Sequence, residues 1–331
     1  MTRHRTAAAA IALTSSLALA GCGAGDDTEE AGGGGSSYPV TVENCGQQET
    51  FDAEPSRVVL LKSASVPYLA DLGVLDRVTA KAGEYPAEYF DDTTQKALDA
   101  IPSLTSRTDS SGHLLISKET VLSQRPDLVF GEVDSPDRAS LKGLDIPVLE
   151  EPALCENGAP DTVDFDDVYD QMTTYGKVFG KPAEAERAVA DLKERTEAVS
   201  AKASKVGAGR SAAFLYPTVG GGPLYAYGKK SMTDASLKAA GFTNVFGDTD
   251  ERVFEIGGEQ LLARNPDVIV MLYSDGSPAA VQKAVTDLPG ASNITAVKNG
   301  DLLPMLFNFA EPPSPLSVDG VEKIAKRFGA P

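Results

Sequence analysis

The 331-residue chain carries a net charge of −18, 42% apolar residues, three Cys and no Trp. The acidic balance argues against nucleic acid, which rewards clustered Lys and Arg. The apolar share suffices for one large domain or two lobes.

Residues 1–21 have the form of an export signal. Arg3 and Arg5 give a positive start, Ala7–Ala20 an apolar stretch, and Leu19-Ala20-Gly21-Cys22 a cleavage site. About 14 apolar residues fall short of the ~20 that cross a bilayer. Residues 22–37 follow, rich in glycine and acid ("GAGDDTEEAGGGGSS" after the Cys), and are expected to form a flexible tether. Losing Arg3 and Arg5 with the leader takes the charge to −20. With Cys22 set aside, Cys45 and Cys155 form an even pair in an oxidising compartment, read as a disulfide; two free buried thiols are the alternative.

Arg57–Leu61 ("RVVLL") is a short β-branched run after Pro55 and reads as a buried strand. Helical spacing through Tyr68, Leu69 and Leu72 stops at Gly73. Val78–Ala80 is the next predicted strand. A helix is expected over Glu119–Gln124, ending before Arg125 because the residue preceding a proline is pushed out of helix. Leu128–Phe130 and Ile146–Leu149 are predicted strands. This alternation implies a parallel α/β layer.

Val168, Met172, Tyr175 and Phe179 then follow helical spacing up to Gly180, and Pro182 opens a second helix with Ala185, Val189, Leu192 and Val199 on its apolar face. Strands are predicted at Ala212–Leu215 and Val268–Leu272, and helices at Met232–Ala240, Glu259–Arg264 and Val318–Arg327. The second half thus repeats the first. "KETVLSQRPDLVF" (Lys118–Phe130) and "GEQLLARNPDVIV" (Gly258–Val270) each place Pro-Asp seven and eight residues after a Glu, ahead of an apolar run. Read alone, each Glu favours the positive start of its helix.

In this order, the Leu-Ala-Gly-Cys box, Arg57-Val58-Val59 before a helix ending at Leu72-Gly73, the two Glu…Pro-Asp-strand units and the Tyr175–Gly180 helix end resemble the substrate-binding lipoproteins of bacterial ABC importers for ferric siderophores, haem or vitamin B12. The resemblance covers Tyr38 to Pro331. It implies an α/β fold of two similar lobes with central parallel sheets, 38–163 and 182–331, joined by a single rigid helix at 164–181, as in class III periplasmic binding proteins. It implies lipidation at Cys22, anchoring to the extracytoplasmic face of the cell membrane, and docking of Glu119 and Glu259 onto a permease, the protein acting as a monomer. Val66-Pro67 stands where many members have Thr-Glu.

Ligands of open α/β sheets bind beyond the carboxyl ends of the strands. The candidate cleft loops are Gly83–Phe90, Ser106–His113, Tyr216–Lys230, Asp250–Phe254, Tyr273–Gly276 and Phe307–Pro313. They carry Tyr85, Tyr89, Tyr216, Tyr225, Tyr227, Tyr273, Phe307 and Phe309, aromatics suited to a bulky, partly apolar ligand or else to packing within their own loops. Arg107 and Arg252 either donate to chelating oxygens or pair with nearby acids. His113 is the one histidine left once His4 departs with the leader, so a bare metal site is not expected and no cofactor is implied. A siderophore supplies its own iron ligands. Few cations in these loops favour a hydroxamate over a highly anionic catecholate chelate, with haem or a corrinoid as alternatives.

An exported enzyme is the competing class. No Gly-x-Ser-x-Gly turn accompanies His113, Gly220-Gly221-Gly222 lacks the Lys-Ser/Thr of a phosphate loop, and nothing pairs two carboxylates as in a glycosidase. The reading is therefore a binding protein and not an enzyme, with a transporter-independent sensor or adhesin as a third possibility.

Overall fold

The computed structural model describes residues 38–109, 113–274 and 276–329. The expected leader, the lipidation site Cys22 and the tether lie outside the described residues. Among the described residues, no helix is long and apolar enough to cross a membrane.

An antiparallel hairpin opens the chain, β1 (Val40–Asn44) with β2 (Gln47–Phe51). Four parallel strands follow: β3 (Val58–Leu60), β4 (Val78–Lys81), β5 (Leu128–Phe130) and β6 (Val148–Leu149), in the order β4-β3-β5-β6. The last is shorter than the predicted Ile146–Leu149. Pro147 has no N–H to give, although its carbonyl accepts from Val129 N at 3.0 Å.

The second sheet holds β7 (Ser211–Pro217), β8 (Leu224–Tyr227), β9 (Thr243–Asn244), β10 (Val253–Ile256), β11 (Val268–Tyr273) and β12 (Leu302–Leu306). Its order is β10-β8-β7-β11-β12, with β9 beside β7. β7, β11 and β12 are parallel, as predicted for this half. The antiparallel edge of β8 and β10 was not anticipated. Much of the expected Tyr216–Lys230 loop is therefore a hairpin, with Tyr216 opposite Tyr225.

Strand alternation explains the burial. In β3 and β5, Val58, Leu60, Leu128 and Phe130 face one core cluster while Val59 and Val129 face another. In β7 and β11, Ala212, Phe214, Val268 and Val270 join that same first cluster, and Ala213, Leu215, Ile269 and Met271 form a third. Both sheets thus turn one face toward a single continuous interior.

The helix Phe165–Val178 supplies the middle of that interior with Val168, Met172, Tyr175 and Val178. Asp164 caps it in a reciprocal box with Asp167. Tyr175 is fully buried and meets the rings of Tyr68 and Phe130 edge-on, with centroids 5.2 and 4.9 Å away. At 14 residues the helix is about 21 Å long. It stops where Gly180 takes φ +63°, and Pro182 begins the next helix, Pro182–Ser200.

The repeated Glu…Pro-Asp units share one construction. Each Glu is the second residue of a short helix, Lys118–Leu122 or Gly258–Arg264. Arg125 and Asn265, before the prolines, both adopt left-handed φ (50° and 45°). Each Asp then braces the start of the neighbouring central strand. Asp127 accepts from Ser56 N, Ser56 Oγ and Arg57 N (2.8–3.1 Å), and Asp267 accepts from Ser211 N and Oγ (both 2.8 Å). Their own N–H groups donate to Arg57 O and Ser211 O, each at 3.1 Å. The acid satisfies backbone donors that begin a parallel strand with no partner beyond them.

Cys45 and Cys155 are bonded across 110 positions, tying the β1–β2 turn to the segment after β6. A loop of that length is worth about 4–5 kcal/mol in the chain-entropy account.

Candidate functional site

The parallel strands of both sheets end at one cavity of about 850 Å³. The turn after β3 contributes Leu61–Ala64; the loop after β4 gives Gly83, Glu84, Pro86, Glu88 and Tyr89. Glu132–Asp134 follow β5 and Leu154 follows β6. The second sheet gives Tyr216 from β7, Tyr273, Ser274, Gly276 and Pro278 from the end of β11, and Leu306, Asn308 and Pro312 from the end of β12. Ser106, Thr108, His113 and Leu114 complete the lining. The volume lies in the range of small-molecule sites.

Asn308 ties the two sides together. Its N–H donates to Tyr89 Oη at 2.9 Å and its Nδ2 to Ser63 Oγ at 3.0 Å. Tyr68 Oη also crosses between the halves, donating to Pro313 O at 3.3 Å. The next residue, Phe309, is packed closely by the helix Pro315–Phe328: Gly320 there has no room for a Cβ, which would sit 1.7 Å from Phe309 O.

Three of the predicted ligand residues, Tyr89, Tyr216 and Tyr273, line the cavity. Tyr89 rests edge-on against Phe309 (5.1 Å), and burial pushes its phenol pKa up. Tyr216 donates to Ser274 Oγ at 3.2 Å and is packed by Phe307 at 5.9 Å, so Phe307 supports the wall from behind it. Burial, then the Glu88 charge, raises the Tyr273 phenol.

The other predicted residues fall elsewhere. Tyr85 turns inward, donating to Ala82 O at 3.1 Å, and serves as the pin of its loop. Tyr227 is buried in the shared interior and Tyr225 sits in β8; the unanticipated hairpin removes both from the lining. Phe309 is buried beneath Tyr89. Arg107 is exposed and outside the lining. Arg252 is engaged by Glu311 at 2.9 Å, a fully buried carboxylate that also accepts from Met232 N; of its two expected roles, the ion pair is the one observed.

Reading the sequence missed Lys62, Ser63, Glu132 and Asp134 as lining groups, and within the expected Phe307–Pro313 loop it singled out the two Phe residues and not Asn308. The strand-end rule that selected the other loops also covers the turns after β3 and β5. Lys62 Nζ pairs with Glu150 Oε2, and Glu150 is almost wholly buried. The Glu150 carboxylate also accepts from the backbone N of Glu132 and Glu151, each at 2.8 Å. Behind it, Arg138 binds Glu49, Asn44 Oδ1 and Val148 O. His113 Nδ1 lies 3.0 Å from Asp134 Oδ2.

Glu119 and Glu259 are both exposed. Glu119 follows the cavity residue Leu114 by five positions, and its own backbone N–H and the Ser117 hydroxyl hold its carboxyl below the usual range. Each Glu lies in the short helix that leads, through its Pro-Asp, into β5 or β11.

A sequence model described as "Periplasmic binding protein" matches residues 58–305. The chain belongs to this family. Among solved periplasmic binding proteins and their kin, it is 51% identical to a crystal structure described as an ABC-type Fe3+-hydroxamate transport system from Saccharomonospora viridis DSM 43017. That alignment covers 88% of this chain and all of the other, with a TM-score of 0.83. It is 24% identical to the ABC transporter substrate-binding lipoprotein YvrC of Bacillus subtilis (strain 168), over 95% of this chain and 94% of that one. A cobalamin-binding protein of Halobacterium salinarum (strain ATCC 29341 / DSM 671 / R1) is also 24% identical, over 88% and 74%. Two α/β sheets with a cleft at their carboxyl ends are what a periplasmic binding protein of this architecture requires.

Proposed function

We propose that this protein captures a ferric siderophore of the hydroxamate class and delivers it to the permease of an ABC importer, binding the chelate and releasing it unchanged. The observation that carries this reading is the cleft: about 850 Å³, walled by three tyrosines, with Lys62 committed to Glu150. Such a wall suits a bulky chelate whose iron is already coordinated, and gives little to balance the large negative charge of a tris-catecholate. The 51% likeness to a protein described as part of an Fe3+-hydroxamate transport system supports the same class.

In this reading the mature chain is a monomer anchored through lipidated Cys22 on the extracytoplasmic face. The lobes 38–163 and 182–331 move slightly about the 164–181 helix. Glu119 and Glu259 dock onto the permease, one from each lobe, where charge complementarity sets register.

Titration of the ligand-free chain, purified in detergent, with ferric hydroxamate, ferric catecholate, haem and cobalamin tests the proposal. The protein has no Trp, so tyrosine emission quenched by the coloured ligand reports binding. Saturable quenching by the hydroxamate is expected. Preference for cobalamin or haem would move the ligand to the class named for the haloarchaeal relative or to a tetrapyrrole, and silence with all four would refute the reading.

A further inference from the structure

The charges in the cleft wall narrow the ligand further, on the footing of the hydroxamate reading above. Besides the tyrosines, the ionisable side chains there, among the described residues, are Lys62, Glu84, Glu88, His113, Glu132 and Asp134. Three pairings account for most of them: Lys62 with buried Glu150, Glu132 with buried Arg138 at 3.3 Å, and Asp134 with His113. Glu84 and Glu88 remain. Both are exposed, both belong to the loop after β4, and among the described residues neither forms an ion pair. Lys323 and Lys326 share an adjoining hollow with Glu88, but Lys323 lies over the Phe309 ring at 4.3 Å and neither lysine pairs with the carboxylate.

Opposite this loop stand the half-buried rings of Tyr216 and Tyr273. Glu88 lines the same cavity as Tyr89 and Tyr273, and after burial its charge adds to the upward push on both phenols. A carboxylate on one wall and electron-rich ring faces on the other suit a cationic group carried by the ligand.

We propose that Glu88, assisted by Glu84 and the faces of Tyr216 and Tyr273, is a specificity-determining residue that seats an ammonium group, so that the cleft selects a positively charged ferric trihydroxamate over an uncharged one. The iron shell fills the cavity; the pendant cation decides between chelates of similar size.

A matched pair of ligands tests this: a linear ferric trihydroxamate with a terminal primary ammonium, and the same chelate with that amine acetylated. Both are titrated into the full chain in detergent. Acetylation should weaken binding about five- to tenfold, the effect of one charge-assisted contact in a half-open site. The difference should vanish in the Glu84→Gln/Glu88→Gln variant and shrink at about 0.5 M salt. Equal affinity for both chelates, or a difference that survives in the variant, overturns the inference while leaving the hydroxamate reading intact. Binding of neither chelate overturns that reading and this inference with it.

Discussion

Replacing Glu151 with Gln should stabilise the protein in mild alkali and leave it unchanged in acid. Glu151 is 3% exposed; its Oε1 accepts from Tyr175 Oη at 3.1 Å, and its Oε2 has no hydrogen-bond partner. Burial, reinforced by the neighbouring Glu150 charge, pushes its pKa from 4.5 up to about 8, with Tyr175 and Lys62 pulling the other way. Between those two values the folded chain keeps a proton that the unfolded chain has released. Stability from this group is therefore complete below pH 4.5 and is lost as pH rises through 8, a change on the order of 4–5 kcal/mol. Glutamine keeps an acceptor for Tyr175 and cannot ionise. Urea denaturation followed by far-UV circular dichroism between pH 4.5 and 8.5 measures the difference. The variant should match the native chain at pH 4.5 and exceed it by roughly 4 kcal/mol at pH 8.5. Parallel pH profiles for the two proteins would refute the argument, because every other titrating group is common to both.

The Pro-Asp braces should behave as two independent copies of one device. Asp127→Ala and Asp267→Ala should each cost about 2 kcal/mol in denaturant titrations, and the double variant about 4, since the sites serve different sheets. Under the docking proposal, Glu119→Arg with Glu259→Arg should abolish ligand-stimulated ATP hydrolysis by the reconstituted importer while the chelate affinity stays within twofold; unimpaired stimulation would remove both residues from the interface.

Much of the fold was legible because its strands are buried on both faces. Runs such as "VVL" and "VIVML" have no polar face to obscure them, and helix stops at Gly180 or ahead of Pro126 have local causes. The hairpin β1–β2 was not legible: "VTVEN" and "QQETF" are half polar, and the disulfide and the core beneath hold them. β8 escaped notice because "GGGPLYAY" reads as a turn, and its pairing depends on β7 and β10. For the site, strand-end logic located the loops but not the side chains within them. Tyr85 and Tyr89 lie four residues apart in one irregular loop, where no periodicity says which turns inward. Arg252 is claimed by Glu311, 59 positions away, and Lys62 by Glu150, 88 positions away; such partners are chosen by tertiary structure alone.

Neither sheet owns its interior. Tyr175 and its neighbours on the 165–178 helix are roof to one half and foundation to the other, so apolar surface torn from either side would be bared on both. The folding unit is then the pair, and the cleft is a seam in one cooperative body instead of a gap between two.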